Sequence, residues 1–301
     1  MKKNREIVVV GSIAYDDVKT IKGDKKRLLG GSGTYFSIAA SLFTKVNLVG
    51  VIGDDFNSSD IEMFNKNSIC TKYLKKEVGP TFHWGGIYSD DFSERETIFT
   101  NLGVFENFNP EIDSNSFDKP ILFLANIQPT LQMKVINQVN DSHLIVLDTM
   151  NLWIENNLNQ LIQVIKKSDI LLINDEEAIQ ITNEQNLQNA GEKLLCFGLK
   201  YVIIKKGGKG SMIISNSELI NVPAVPNIDV YDPTGAGDSF AGGFLGYLSK
   251  NDSTDIVNAV IHGTAVASYT VSNFGIKGIE NLELHNLKKR VKLINNIMKD
   301  M

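Results

Sequence analysis

The chain has 301 residues, 43% of them apolar and 22% charged, with a formal net charge of −5. This is globular composition, enough for one large domain alone or with a small appendage. It speaks against nucleic-acid binding, since no basic block exceeds a few residues, and Cys70 and Cys196 have neither metal-ligand spacing nor disulfide-scaffold density.

In chain order, "EIVVV" comes first. Its apolar run, Ile7 to Val10, meets Asp16 and Asp17 well before the roughly 7–15 apolar residues that a signal peptide needs. No stretch approaches a membrane span. The expectation is a cytoplasmic protein opening on a buried strand. Further strands are expected at Val46–Ile52, Ile121–Ala125, Leu144–Asp148, Asp169–Ile173 and Tyr201–Lys205. Their near-continuous hydrophobicity fits strands covered on both faces. Helical stretches lie between them, such as "LQMKVINQV", "LIQVIKKS" and "NLQNAGEKLLCFG", which predicts βαβ units around a mostly parallel sheet. Three more helices are expected near Gly237–Lys250, Thr254–Thr270 and Leu282–Met298. Two regions break the rhythm. Residues 81–101 read as two strands around a polar turn, and residues 14–29 as polar and non-helical. Together they predict a small antiparallel flap, so that residues 1–301 form a single α/β domain with a lid at about 14–29 and 81–101.

Several short segments carry candidate chemistry. Asp16 follows the first strand, at the sheet edge where open α/β folds bind ligands, and one carboxylate there can accept two neighbouring hydroxyls; Asp17 reads as its solvated neighbour. Asn174 and Glu177 have the spacing of a capping box. "VIIKKGGKGSMIIS" reads as a hairpin around a glycine turn. "FLANIQP" leaves Asn126 and Gln128 at a strand end, within reach of a ligand.

The most informative segment is "DPTGAGDSFAGGFLGYL", Asp232 to Leu248. A helix starting near Ala236 puts Phe240, Phe244 and Leu248 on one face. Gly235 and Gly237 then lie in the turn and first helical turn, where unpaired N–H groups and the positive end of the helix dipole make an anion hole. The same field would keep Asp238 ionised, beside the place where a phosphate would sit. A carboxylate so placed can accept a hydroxyl proton while the amides receive a phosphoryl group. An aspartate at a helix N-terminus also has a purely structural use. No G-x-x-x-x-G-K-[ST] occurs, which excludes a P-loop kinase.

This segment resembles the C-terminal signature of the ribokinase-like (PfkB) carbohydrate kinases. "GGSGTYF", with Gly30, Gly31 and Gly33, resembles their N-terminal signature. The resemblance implies a Rossmann-like three-layer fold with a β-strand lid, ATP and Mg²⁺ as cofactors, and transfer to a primary hydroxyl of a sugar or nucleoside. It makes Asp238 the base and the amides of Gly235, Ala236 and Gly237 the anion hole. Asp16, Gly30, Gly31, Tyr35 and Asn126 would hold the acceptor. Asn174 and Glu177 match the family's N-x-x-E motif, with Glu177 acting on Mg²⁺ through water. Lys205, Gly207, Gly208 and Gly210 would line the ATP site with Asn174 and Gly237, while Lys209 is solvated. Asp232 and Thr234 would hold a monovalent cation such as K⁺. His262 and Gly263 are weaker candidates beside adenine. A homodimer through the lid is a further implication.

Three positions depart from the family pattern. Tyr35 stands where an asparagine is usual, Ala14 where another is common, and Trp153 where some sugar kinases carry arginine in a D-x-N-x-R pattern beginning near Asp148 and Asn151. These place the acceptor, and not the reaction, in question. A nucleoside kinase of the same fold is the alternative, with Tyr35 and Trp84 able to stack a base and His83 beside them. Arg95 reads as part of the lid's charged turn. A non-catalytic sugar or nucleotide sensor is a third reading, disfavoured because a sensor need not keep a base.

Overall fold

A computed structural model of the chain describes residues 4–113, 116–139, 141–250 and 252–301. Strand β1 (Ile7–Val10) shows why the main sheet forms. All four side chains are fully buried, with Ile7 and Val9 in one apolar cluster and Val8 and Val10 in another. Alternation along a strand sends neighbours to opposite faces, so a continuous apolar run needs cover on both. Helices α1 (Ser32–Ser41), α7 (Ala236–Ser249) and α8 (Ile256–Val271) cover the first face. Helices α3 (Pro129–Gln138), α4 (Asn151–Ile165) and α6 (Leu187–Leu195) cover the second.

Among the described residues the sheet has nine strands, in the order β13-β12-β11-β10-β9-β8-β1-β4-β5. The expected strands appear as β1, β4 (Val46–Ile52), β8 (Ile121–Leu124), β9 (Leu144–Asp148), β10 (Ile170–Asn174) and β11 (Tyr201–Lys205), all parallel. The predicted hairpin is β11 with β12 (Ser211–Ile214), and β13 (Leu219–Val222) extends it antiparallel. Helix α5 (Asp175–Thr182) follows β10, and α9 (Leu284–Asp300) closes the chain. Helix α2 (Ser58–Lys66) and edge strand β5 (Ile69–Lys76) were not expected from the sequence. The fold is a three-layer sandwich, with helices on both faces of a mostly parallel sheet.

A second sheet has the order β3-β2-β6-β7, built from β2 (Ala14–Thr20), β3 (Gly23–Gly30), β6 (Phe82–Tyr88) and β7 (Arg95–Asn101). The expected antiparallel flap needs correction, because β2 and β6 run parallel. The chain travels through β4 and β5 between them, so no hairpin turn reverses its direction. Thr20 Oγ1 donates to the carbonyl of Tyr231, and Val18, Tyr88 and Phe274 form a small apolar cluster. The second sheet thus rests on the loop that leads into α7. No described helix is long and apolar enough to cross a membrane.

Candidate active site

The turn before α7 is shaped by Gly235, whose φ of 73° lies in the left-handed region that glycine tolerates. A Cβ there would also collide with the ring of Tyr35, which packs beneath the turn at 1% exposure. Asp232 clips the loop: Oδ1 accepts the N–H of Thr234 at 2.8 Å and Oδ2 that of Gly275 at 3.0 Å. The N–H of Ala236 turns back to the carbonyl of Pro233 at 3.2 Å. This corrects the expectation of three amides facing an anion, since Ala236 closes the turn. The first helical bond is donated by Ser239 to Gly235. Among the described residues, the N–H groups of Gly235 and Gly237 have no backbone acceptor. These two amides lie at the positive end of the helix dipole, an arrangement that suits an anion.

Lys205, at the end of β11, points its ammonium over this turn. A Cβ built on Gly237 would lie 3.2 Å from Nζ. The same Nζ pairs with Asp148 Oδ1, at the end of β9, at 3.0 Å, and both side chains are largely buried, at 17% and 6% exposure. Burial lowers the lysine's pKa, yet the charges of Asp148, Glu177 and Asp238 outweigh it and the net shift is upward. Asp238 lies in the first turn of α7. Burial, then the charge of Asp148, lift its pKa well above the usual carboxylate range, against the pull of Lys205. The expectation of a simply ionised Asp238 therefore needs amending, because desolvation exceeds the effect of the helix dipole. Its affinity for a proton is that of a useful base near neutral pH.

Asn174 and Glu177 form the predicted capping box on α5. Glu177 N–H donates to Asn174 Oδ1 at 2.7 Å, and Asn174 N–H donates to Glu177 Oε2 at 3.0 Å. Burial pushes Glu177 up to about 7, with Lys205 opposing and Asp148 reinforcing the shift. The C-terminal ends of β9, β10 and β11 and the start of α7 thus bring together Asp148, Glu177, Asp238 and one lysine. Three carboxylates against one ammonium leave two formal negative charges when all are ionised.

On the other side of the turn stands Asp16, at 4% exposure. Its carboxylate lies where a Cβ of Gly30 would be, which is why that position has none. Burial, then the charges of Asp232 and Asp238, push it up to about 8, against a hydrogen bond from the Gly31 amide. Gly31, at φ 90°, passes so close to the Ser12 carbonyl that a Cβ would not fit. Asp17 faces elsewhere and pairs with His83 at 2.8 Å. The hydroxyls of Tyr88 and Thr234 lie 3.0 Å apart, joining the second sheet to the α7 loop.

The residues that converge match the two signatures together. A pfkB family carbohydrate kinase model covers residues 4–280. The chain belongs to the pfkB family of carbohydrate kinases. This makes it a phosphotransferase with an alcohol acceptor. It is 27% identical over 252 residues to the cytidine kinase of Thermococcus kodakarensis, covering 81% of this chain and 89% of that protein. The crystal structure of the Methanocaldococcus jannaschii nucleoside kinase superposes with a TM-score of 0.78 at 22% identity, covering 97% of this chain and 99% of that one. The Burkholderia thailandensis nucleoside kinase, solved with ADP and inosine, gives 0.80 at 15% identity, with 96% of each chain covered. At such identities the two structures speak for the fold alone.

Within this kinase, some expected site residues stand elsewhere. His262 stacks on Tyr247, with centroids 4.3 Å apart, nine residues along α7 from Asp238, and Gly263 packs against Phe240. Gly207 and Gly208 border open space, while a Cβ on Gly210 would strike the Val222 carbonyl, which gives Gly210 a packing reason. Asn126 is engaged: Oδ1 accepts the indole N–H of Trp153 at 2.8 Å and Nδ2 reaches Met150 Sδ at 3.1 Å. Sequence reasoning missed three pairings, Lys205 with Asp148, Asn126 with Trp153, and Tyr88 with Thr234.

Proposed function

We propose that the protein transfers the γ-phosphoryl group of ATP to a primary hydroxyl of a sugar or sugar-bearing acceptor. The observation that carries this reading is the convergence of Asp238, the amides of Gly235 and Gly237 and the Lys205 ammonium at one helix end. Asp238 accepts the hydroxyl proton as the acceptor oxygen bonds to the γ-phosphorus. The bond from that phosphorus to the bridging oxygen breaks and ADP departs. The two amides and Lys205 oppose the charge spread over the transferred group. Asp16, with Gly30 and Gly31 beside it, would hold neighbouring acceptor hydroxyls. Gly207 and Gly208 would border the nucleotide.

Mg²⁺ fits the residues present, because carboxylate oxygens in excess of cationic charge suit a hard divalent ion. Among the described residues no cluster of three or more ligands is preformed, as expected for an ion that takes one or two carboxylates, waters and substrate phosphates. Asp148 and Glu177 would hold it, with Asn174 near the phosphates. When bound, the ion neutralises phosphate charge. Both oxygens of Asp232 already accept backbone amides, so the reading calls on no monovalent cation there. We further propose that the whole chain works as one kinase domain and that the second sheet is its lid, held to the α7 loop by Tyr88 and Thr234 and excluding water as competing acceptor.

A nucleoside acceptor is the second reading. The cytidine kinase and the nucleoside kinase that this chain resembles over more than four fifths of its length favour it. The test is ADP release with ATP and Mg²⁺ across free pentoses and hexoses, adenosine, inosine and cytidine. Turnover of at least one acceptor is expected. Acceptor binding with no ADP release across that panel would refute catalysis and leave a sensor.

A further inference from the structure

The strand order points to one crevice. From β1 the chain passes to β4 through α1, on the face shared with α7 and α8, whereas from β8 it passes to β9 through α3, on the opposite face. Strands β1 and β8 are adjacent and parallel, so their connections diverge and a crevice opens outside their C-terminal ends. Ser12 lies past the end of β1 and Asn126 past the end of β8.

At this crevice Asn126 is committed to an aromatic side chain. Its amide oxygen accepts the indole N–H of Trp153, and its amide nitrogen reaches the sulfur of Met150. Its backbone carbonyl accepts Ser32 Oγ at 3.4 Å, and Ser32 is bonded in turn to the amide of Ser12. Ser32 lies two residues past Gly30, against which the Asp16 carboxylate packs. Trp153, Asn126, Ser32 and, through Gly30, Asp16 are therefore joined in one series of contacts beside the crevice.

Trp153 is half-buried, its single donor is satisfied, and among the described residues no ring or cation stacks on it. The other aromatic candidates are covered. The Arg95 guanidinium lies over Trp84, 5.5 Å from the ring centroid. Tyr35 is enclosed under Gly235. We infer that Trp153, oriented by Asn126, is the platform on which the planar base of a nucleoside acceptor stacks, with Asp16 at the ribose end. An indole whose N–H is given to Asn126 has no hydrogen-bonding group left for a sugar hydroxyl, but its ring suits the flat face of a base. Trp153 is then a specificity-determining residue and Asn126 a positioning residue. The inference rests on the nucleoside reading above.

The experiment measures kcat and KM for cytidine, inosine, adenosine and ribose in the wild type, Trp153→Ala, Trp153→Phe and Asn126→Ala. A base stacked on one aromatic side chain gains about 5- to 150-fold in affinity. Trp153→Ala is expected to raise nucleoside KM at least about tenfold with kcat nearly unchanged, to leave ribose kinetics alone, and to be largely rescued in Trp153→Phe. Asn126→Ala should show the same split, less strongly. The chain has two tryptophans, so nucleoside should quench the fluorescence of Trp84→Phe, in which Trp153 remains, and not that of Trp153→Phe. Nucleoside turnover with KM unchanged in Trp153→Ala, or loss shared equally by ribose, overturns the proposal and leaves the nucleoside reading standing. Ribose turnover with no nucleoside turned over overturns both. If Trp153→Ala does not fold, the KM split in Asn126→Ala and the presence or absence of quenching in Trp84→Phe decide instead.

Discussion

Replacing Asp16 with Asn should make the ligand-free protein more stable at alkaline pH while impairing its activity. Asp16 is at 4% exposure, and burial with the charges of Asp232 and Asp238 raises its pKa from 3.8 to about 8. The sign follows from linkage. A carboxyl whose folded pKa lies above its unfolded value binds protons more tightly in the folded state. Stability therefore falls as pH rises from about 4, and stops falling above about 8. Between pH 5 and pH 8.5 some three pKa units of that window are crossed, or at most about 4 kcal/mol at 1.4 kcal/mol per unit. Asn carries no charge at either pH, so its advantage over Asp should grow across this interval. Thermal unfolding without ligands is the assay. At roughly 2 °C per kcal/mol for a chain of this size, the gap between variant and wild type should widen by several degrees from pH 5 to pH 8.5. A constant gap, or a variant less stable than wild type at pH 8.5, would refute the assignment of Asp16 as a buried carboxylate held for a ligand.

Two further outcomes follow from the same geometry. Gly235→Ala puts a Cβ at φ 73° against the Tyr35 ring, so it should lose about 2 kcal/mol or more in denaturant unfolding, the left-handed backbone alone accounting for roughly 1–2, and kcat should fall with it; a wild-type midpoint would contradict the packing. Glu177→Gln keeps an acceptor for the capping box and removes a buried carboxylate, so stability should hold while the Mg²⁺ concentration for half-maximal rate rises about tenfold or more; an unchanged Mg²⁺ titration would remove Glu177 from the metal site.

Much of this architecture is legible in the sequence because the responsible forces are local or periodic. "IVVV" reads as a buried strand and is one, and the Asn174–Glu177 spacing announces a helix start that the structure shows as a full capping box. Strand β5 escapes notice because "ICTKYLKK" carries three lysines on an exposed edge, where charge deters pairing with other chains. The parallel union of β2 with β6 depends on a long excursion that no local pattern records. The site divides the same way. Asp238 and its glycines lie within four residues, whereas Lys205 with Asp148, Asn126 with Trp153 and Tyr88 with Thr234 join positions 57, 27 and 146 residues apart. The raised proton affinity of Asp238 is likewise tertiary, since it comes from burial beside Asp148.

The central claim is that Asp238 takes the proton of the acceptor hydroxyl, and its most direct test is Asp238→Asn. Asparagine fits the same place in α7 without the buried charge, so the fold and the two free amides should persist. With a saturating acceptor, kcat should fall at least about 100-fold, while the Kd for ATP by calorimetry stays within about threefold. Turnover within tenfold of wild type would contradict the account.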